Sequence, residues 1–290
     1  MAIPSDLPIV DHHCHLSPDG EGVAAARRFR QAGGTHLFLA TQNYDLVVPR
    51  TLEDYRRQFA TTVELARSIE ASVEIRCYPV LAPYPVDLLD QVERLGPAGA
   101  VELQSRALEV AGQLVEEQRA VALGEVGRPH FPVAEPITES IDAVLRRAME
   151  IGRDVGCPVV IHSADLDAGG FHELAAFAAR ASFPLQRLVK HYQRTRLPAA
   201  EYLGVTPSYL ARRELVAGSL QGGEGCFLET DFLDDPRRPG AVLDLATIPH
   251  RAAAAIGRDP AAVERLRVPF QRTVQAVYGF TPEVGPQGAR

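Results

Sequence analysis

Strand-length apolar runs recur along this chain about every thirty to forty residues, and segments with helical spacing of apolar residues lie between them. That alternation is the signature of repeated βα units on a parallel sheet. Eight runs can be counted: 8–15, 35–41, 73–81, 120–124, 158–162, 187–191, 202–206 and 226–231. The intervening segments 22–32, 52–71, 140–155 and 173–181 have the length and the Ala, Leu, Glu and Arg content of helices. Two further helical segments, 86–96 and 106–117, separate the third and fourth runs, and the tail from Pro260 adds another, broken at Pro269. Eight such units predict an α/β fold, a (β/α)8 barrel with extra C-terminal helices packed outside. No Gly/Ser-rich linker interrupts the alternation, so residues 1–290 are expected to form one domain.

The polar residues that interrupt these runs fall repeatedly at their C-terminal ends. The first ends Asp11-His12-His13-Cys14-His15, the fourth runs into Gly124-Glu125-Val126-Gly127, the fifth ends at His162, the sixth at His191, and the eighth ends Glu229-Thr230-Asp231. In a barrel these ends form the mouth where active sites are built, so residues far apart in sequence converge. Side chains alternate along a strand, which predicts that His13 and His15 point one way and His12 and Cys14 the other. A His-x-His pair is a bidentate metal grip, and imidazoles mixed with carboxylates suit metal-assisted hydrolysis. Four histidines, a glutamate and an aspartate exceed what one tetrahedral ion takes. Two divalent ions bridged by a carboxylate fit the number better.

This set of motifs resembles the TatD-related metal-dependent hydrolases of the amidohydrolase superfamily, as a divergent branch, and the order of elements holds from residue 11 to residue 231. The resemblance implies that His13, His15, Glu125 and Asp231 hold one metal and Glu125, His162 and His191 the second, with Glu125 bridging and zinc, manganese or magnesium as the ion. It implies a hydrolase, with deoxyribonuclease-type cleavage of phosphodiesters, at nucleic-acid ends or elsewhere, as its first activity. Amide, lactone or ester hydrolysis of a small metabolite is the alternative on the same site, and a metal-binding barrel without turnover is the third reading. Asp231 is the expected general base, with Glu125 beside it as a catalytic carboxylate, and Glu229, on the same strand face as Asp231, is expected to orient a ligand histidine. Relatives with a carboxylated lysine carry it at the end of the fourth strand, where this chain has Glu125; Lys190, its only lysine, should face away from the mouth. The chain departs from the family's nucleases after Glu125, after His191 and after Asp231, where the loops at the mouth read differently.

Other readings carry less. His12, His36, His130, His172 and His250 are expected to be structural. His172-Glu173 lacks the second histidine of a zincin helix, since Ala176 stands in its place. Asp165 to Gly169 is explained as an Asp-rich turn capping the next helix rather than as a calcium loop. Arg128, Arg194, Arg196, Arg237 and Arg238 could ring the mouth. Thirty basic against thirty-seven acidic residues give a net charge of -7, which argues against a broad nucleic-acid footprint. The four cysteines are widely spaced and suggest neither disulfides nor a thiolate site. No apolar stretch approaches the roughly 18 residues of a membrane span, and the first ten residues lack a signal-peptide pattern, so a cytoplasmic protein without membrane partners is expected.

Overall fold

The structure, a computed structural model, describes residues 3–44, 47–235, 237–238 and 242–284. Residues 1 and 2 of the N-terminal stretch lie outside it. The described strands number nine: β1 (Val10–His15), β2 (His36–Ala40), β3 (Arg76–Leu81), β4 (Ala122–Gly127), β5 (Val159–His162), β6 (Leu188–Gln193), β7 (Thr206–Leu210), β8 (Phe227–Glu229) and β9 (Phe232–Leu233). They form one parallel sheet in the order β8-β7-β6-β5-β4-β3-β2-β1-β9. Because β9 starts three residues after β8 ends, the two edges of the sheet are consecutive pieces of one stretch of chain. The sheet therefore curls round on itself, and the Asp231 N–H donates to the His13 carbonyl, 2.9 Å, across the junction.

The helices are α1 (Val23–Gln31), α2 (Leu52–Ser72), α3 (Asp87–Glu116), α4 (Glu135–Val155), α5 (Ala168–Arg180), α6 (Arg213–Gly222), α7 (Thr247–Arg258), α8 (Ala262–Arg267) and α9 (Thr273–Tyr278). Local chemistry sets several ends. Thr51 and Asp54 form a reciprocal capping box on α2, Asp167 accepts the Gly170 N–H, 2.9 Å, to start α5, and α4 stops at a left-handed Gly156. The two helices expected between β3 and β4 run together as α3, interrupted at Gly96 (φ 73°) just before Pro97. Pro269 sits in a π-type turn, Val268–Arg272, joining α8 to α9.

Strict repetition of βα units is not what is seen. A 3-10 turn, Ala199–Tyr202, stands between β6 and β7 in place of a helix, and the seventh strand starts at Thr206, where the sequence pattern had it end. The apolar run there is broken by left-handed Leu203 and Gly204. α6 and α7 were not anticipated.

Three strands carry a one-residue irregularity in register: β1 between Asp11 and Cys14, β4 between Leu123 and Val126, and β6 between Lys190 and Gln193. Such bulges re-aim side chains and cluster near active sites. The bulge in β1 overturns the expected pairing of His12 with Cys14. Cys14 packs with Leu37, Leu39 and residues of α1 and α2, whereas His12 stacks on Phe227, 3.7 Å between centroids, and bonds the Tyr278 hydroxyl, 2.8 Å. All four cysteines are free and buried, and no helix among the described residues is long and apolar enough to cross a membrane.

Candidate metal centre

The strand ends that carry polar residues meet at one mouth. Glu125, at the β4 bulge, is flanked by two glycines with separate reasons: a Cβ on Gly124 would lie 2.6 Å from Val160 Cβ, and Gly127 has φ +133° with its backbone against the His162 carbonyl. Glu125 is buried among imidazoles. Its Oε1 lies 2.7 Å from His191 Nε2, 2.9 Å from His162 Nδ1 and 3.6 Å from His13 Nε2, while its Oε2 lies 3.5 Å from His15 Nε2. Asp231 approaches from the β8–β9 junction, its Oδ1 3.6 Å from His15 Nε2 and 3.9 Å from His13 Nε2. The Asp231 backbone is left-handed, φ +49°, a strained state for a residue other than glycine. All six residues singled out from the sequence thus come together.

The electrostatics are mutual. Burial would raise the Glu125 carboxyl, but the imidazoles of His191, His162 and His13 outweigh it and hold the group well below the usual carboxylate range. Asp231 is likewise lowered, against burial, by His15, His191 and His13. Burial opposes the charged form of His191, yet Glu125 and Glu229 push it up to about 10. Burial and the neighbouring His191 lower His13.

The donor set fits divalent ions. His13 Nε2 and His15 Nε2 are 3.2 Å apart, close to the span of about 3.3 Å expected for two nitrogens each about 2.05 Å from a tetrahedral ion. The neighbouring carboxylate contacts of 3.5–3.9 Å are long for hydrogen bonds but suit ligands gathered around a shared centre. The opposite ring nitrogens, His162 Nε2 and His15 Nδ1, are buried without a hydrogen-bond partner and are not the atoms that face the cluster. Three groups of candidate ligands lie here among the described residues: His13, His15 and Asp231; Glu125, His162 and His191; and His13, His191 and Glu229, the last with Glu229 bonded to His191 Nδ1.

Supporting groups surround this cluster. Glu229 accepts from His191 Nδ1, 3.1 Å, and from the Tyr192 N–H, 2.6 Å, and the Ser208 hydroxyl donates to its other oxygen. A carboxylate on the far nitrogen of a ligand histidine fixes its tautomer and orientation. Lys190 is buried, with Nζ on the carbonyls of Ser163 and His191 and not in the cluster.

The cluster lies in a cavity of about 720 Å³ whose walls include Tyr84, His130, Tyr192, Arg194 and Arg238. Tyr84 was missed in the sequence, and His130, expected to be structural, stands in the cavity wall. Tyr84 meets the His162 ring edge-on at 5.5 Å and His130 lies 4.9 Å from the same ring. Neither sits on a strand, and a lone aromatic in a loop carries no periodic signal. Arg128 is committed to Asp142 and Glu173, and Arg196 to Glu224, so neither serves the mouth. In the loop after Asp231, Asp234 accepts the N–H groups of Ser17, Glu21 and Gly22, and Asp235 pairs with Arg237 and Arg238. Pro236 and Pro239 of that loop lie outside the described residues.

Residues 10–279 match the family described as TatD related DNase. The chain belongs to that family. The uncharacterized protein MJ1127 of Methanocaldococcus jannaschii is 27% identical over 292 residues, covering 98% of this chain and all of its own. Among solved structures, the TatD homologue YJJV of Escherichia coli superposes with a TM-score of 0.63 at 19% identity, covering 93% of this chain and 98% of that one. The lactonase Lmo2620 of Listeria monocytogenes superposes at 0.59 with 12% identity and 97% of each chain covered. These two share the fold with the TatD-family chain.

Proposed function

We propose that this TatD-family chain is a metal-dependent hydrolase with a two-ion site, cleaving phosphodiester bonds, on a single-domain barrel whose eighth stave is β8 with β9. The observation that carries the reading is the gathering of His13, His15, Glu125, His162, His191 and Asp231 at one mouth, with Glu125 in contact with His162 and His191 on one side and with His13 and His15 on the other. His13, His15, Asp231 and Glu125 would hold one ion, and Glu125, His162 and His191 the other. Zinc, manganese or magnesium suits such a nitrogen and oxygen set. When bound, two divalent ions lower the pKa of a water and polarise the oxygen of the bond under attack.

The chain's own residues do the rest. Asp231, fixed by its N–H on the His13 carbonyl, is placed to accept the proton of the attacking water on its carboxylate and return it to the leaving oxygen. Glu229 keeps His191 in one orientation through Nδ1. The cavity walls select what reaches the cluster. The family description supports a phosphodiester substrate, DNA.

The test is turnover of bis(p-nitrophenyl) phosphate and of short single-stranded DNA with zinc, manganese and magnesium. Asp231→Asn should lower kcat about a hundred- to ten-thousand-fold while the fold and most of the metal remain. Unchanged turnover would remove Asp231 as the base, and native protein inert on both substrates would contradict the phosphodiester reading. A second reading, hydrolysis of a small lactone, amide or ester, draws on the cavity's metabolite-like size and the lactonase fold. A lactone and amide panel decides it, and metal-loaded protein inert on every class leaves the third reading, binding without turnover.

A further inference from the structure

We propose that Arg194, seated on Tyr192, forms an oxyanion subsite at the cavity mouth that takes a phosphate or carboxylate group carried by the substrate in addition to the bond that is cleaved. The proposal rests on the hydrolase reading for the identity of that bond and deepens it by naming a required feature of the substrate.

Both residues line the cavity that holds the ligand cluster. The Arg194 guanidinium carbon stands 5.5 Å from the centroid of the Tyr192 ring. Stacking uses the face of a guanidinium and leaves the hydrogen-bonding fork at its edge free. Tyr192 is itself fixed, with a left-handed backbone (φ +57°) and its N–H on Glu229 Oε1, directly after His191.

The loop that carries Arg194 is tied down without using its side chain. Asp165 accepts the N–H groups of Arg194, 2.7 Å, and Thr195, 3.3 Å, and the Thr195 hydroxyl, 2.5 Å. Gln193 exchanges hydrogen bonds with the backbone of Leu166, 3.2 and 2.7 Å, and donates to the Thr195 carbonyl, 2.9 Å. A rigid backbone thus presents a guanidinium that has no carboxylate partner among the described residues. Arg238, the other arginine of the cavity, is paired with Asp235 at 2.9 Å. In a chain of net charge -7 the overall field does not favour anions, so an anionic substrate needs a local cation at the entrance. Because the backbone that carries this cation is already held, less freedom is lost on binding than from an untethered loop.

The test compares binding of thymidine, thymidine 5′-phosphate and the 5′-carboxylate analogue by calorimetry to the full chain stripped of metal, for native protein, Arg194→Gln and Arg194→Lys. Native protein should prefer one or both anionic probes over thymidine by about tenfold or more, as a charge-assisted contact implies. Which probe wins names the source of the oxyanion. Arg194→Gln should bring the ratio close to one, and Arg194→Lys, which keeps the charge without the fork, should retain part of it. With metal restored, Arg194→Gln should raise KM for the 5′-phosphorylated dinucleotide pTpT and leave TpT, which lacks the second anion, unchanged. An equal preference in native protein and Arg194→Gln would overturn the subsite. Since the binding ratio needs no turnover, absence of phosphodiester cleavage with the ratio intact would overturn the reaction alone.

Discussion

The carboxylate of Asp11 accepts both the backbone N–H, 3.0 Å, and the hydroxyl, 2.5 Å, of Thr230, a residue 219 positions later. The same oxygen that takes the Thr230 N–H takes the His13 N–H, 3.2 Å. One buried side chain thereby holds the start of the metal-site strand to the end of β8, between the two residues, His13 and Asp231, whose spacing the site depends on.

Replacing Asp11 with alanine strands these buried donors. Each unsatisfied buried group costs about 1–3 kcal/mol, so Asp11→Ala should destabilise by about 3 kcal/mol or more in urea unfolding and loosen the ion held by His13 and Asp231. A loss below about 0.5 kcal/mol with native metal affinity would show that Asp11 does not hold this junction.

Glu229→Gln should keep the fold while weakening retention of the ion held by His191. Partners of ligand histidines are typically worth about ten- to a hundredfold in metal affinity, and chelator competition reads that directly. An unchanged affinity would mean that the Glu229–His191 contact has no bearing on ligation.

Asp87 gives a pH prediction away from the site. Burial pushes its carboxyl up to about 7, against the lowering effect of Asn43, which donates to it at 2.6 Å. A folded-state pKa above the unfolded one means that the folded protein binds the proton more tightly, so the penalty for ionising Asp87 grows as pH rises from about 4 to about 7. Asp87→Asn should therefore gain stability over the native chain across that window, by up to about 4 kcal/mol, and the gain should level off above it. A stability difference that is flat with pH would contradict the account.

The six clustered residues were legible because each lies at a strand end, where a polar side chain breaks an apolar run and the fold's topology brings the ends together. Their facing was only partly legible. Alternation placed His13 with His15 correctly but set His12 beside Cys14, because a bulge inserts one residue into register and periodicity read from sequence assumes none. The seventh strand slipped for a related reason: Tyr202 to Thr206 is apolar enough for a strand, yet Leu203 and Gly204 take left-handed backbone there. Tyr84, His130 and the commitments of the mouth arginines depend on loop packing that no local pattern encodes. Arg128 and Arg194 look alike in sequence, and only the positions of Asp142 and Glu173 separate them.

The most direct test of the central claim is metal content per chain, measured by elemental analysis on protein purified without chelator and on the Glu125→Gln variant. The account predicts about two equivalents of divalent metal in the native chain and a fall in both in the variant, since Glu125 touches residues of both groups of donors. Absence of metal even after reconstitution with zinc or manganese, or a content that Glu125→Gln leaves unaltered, would contradict it.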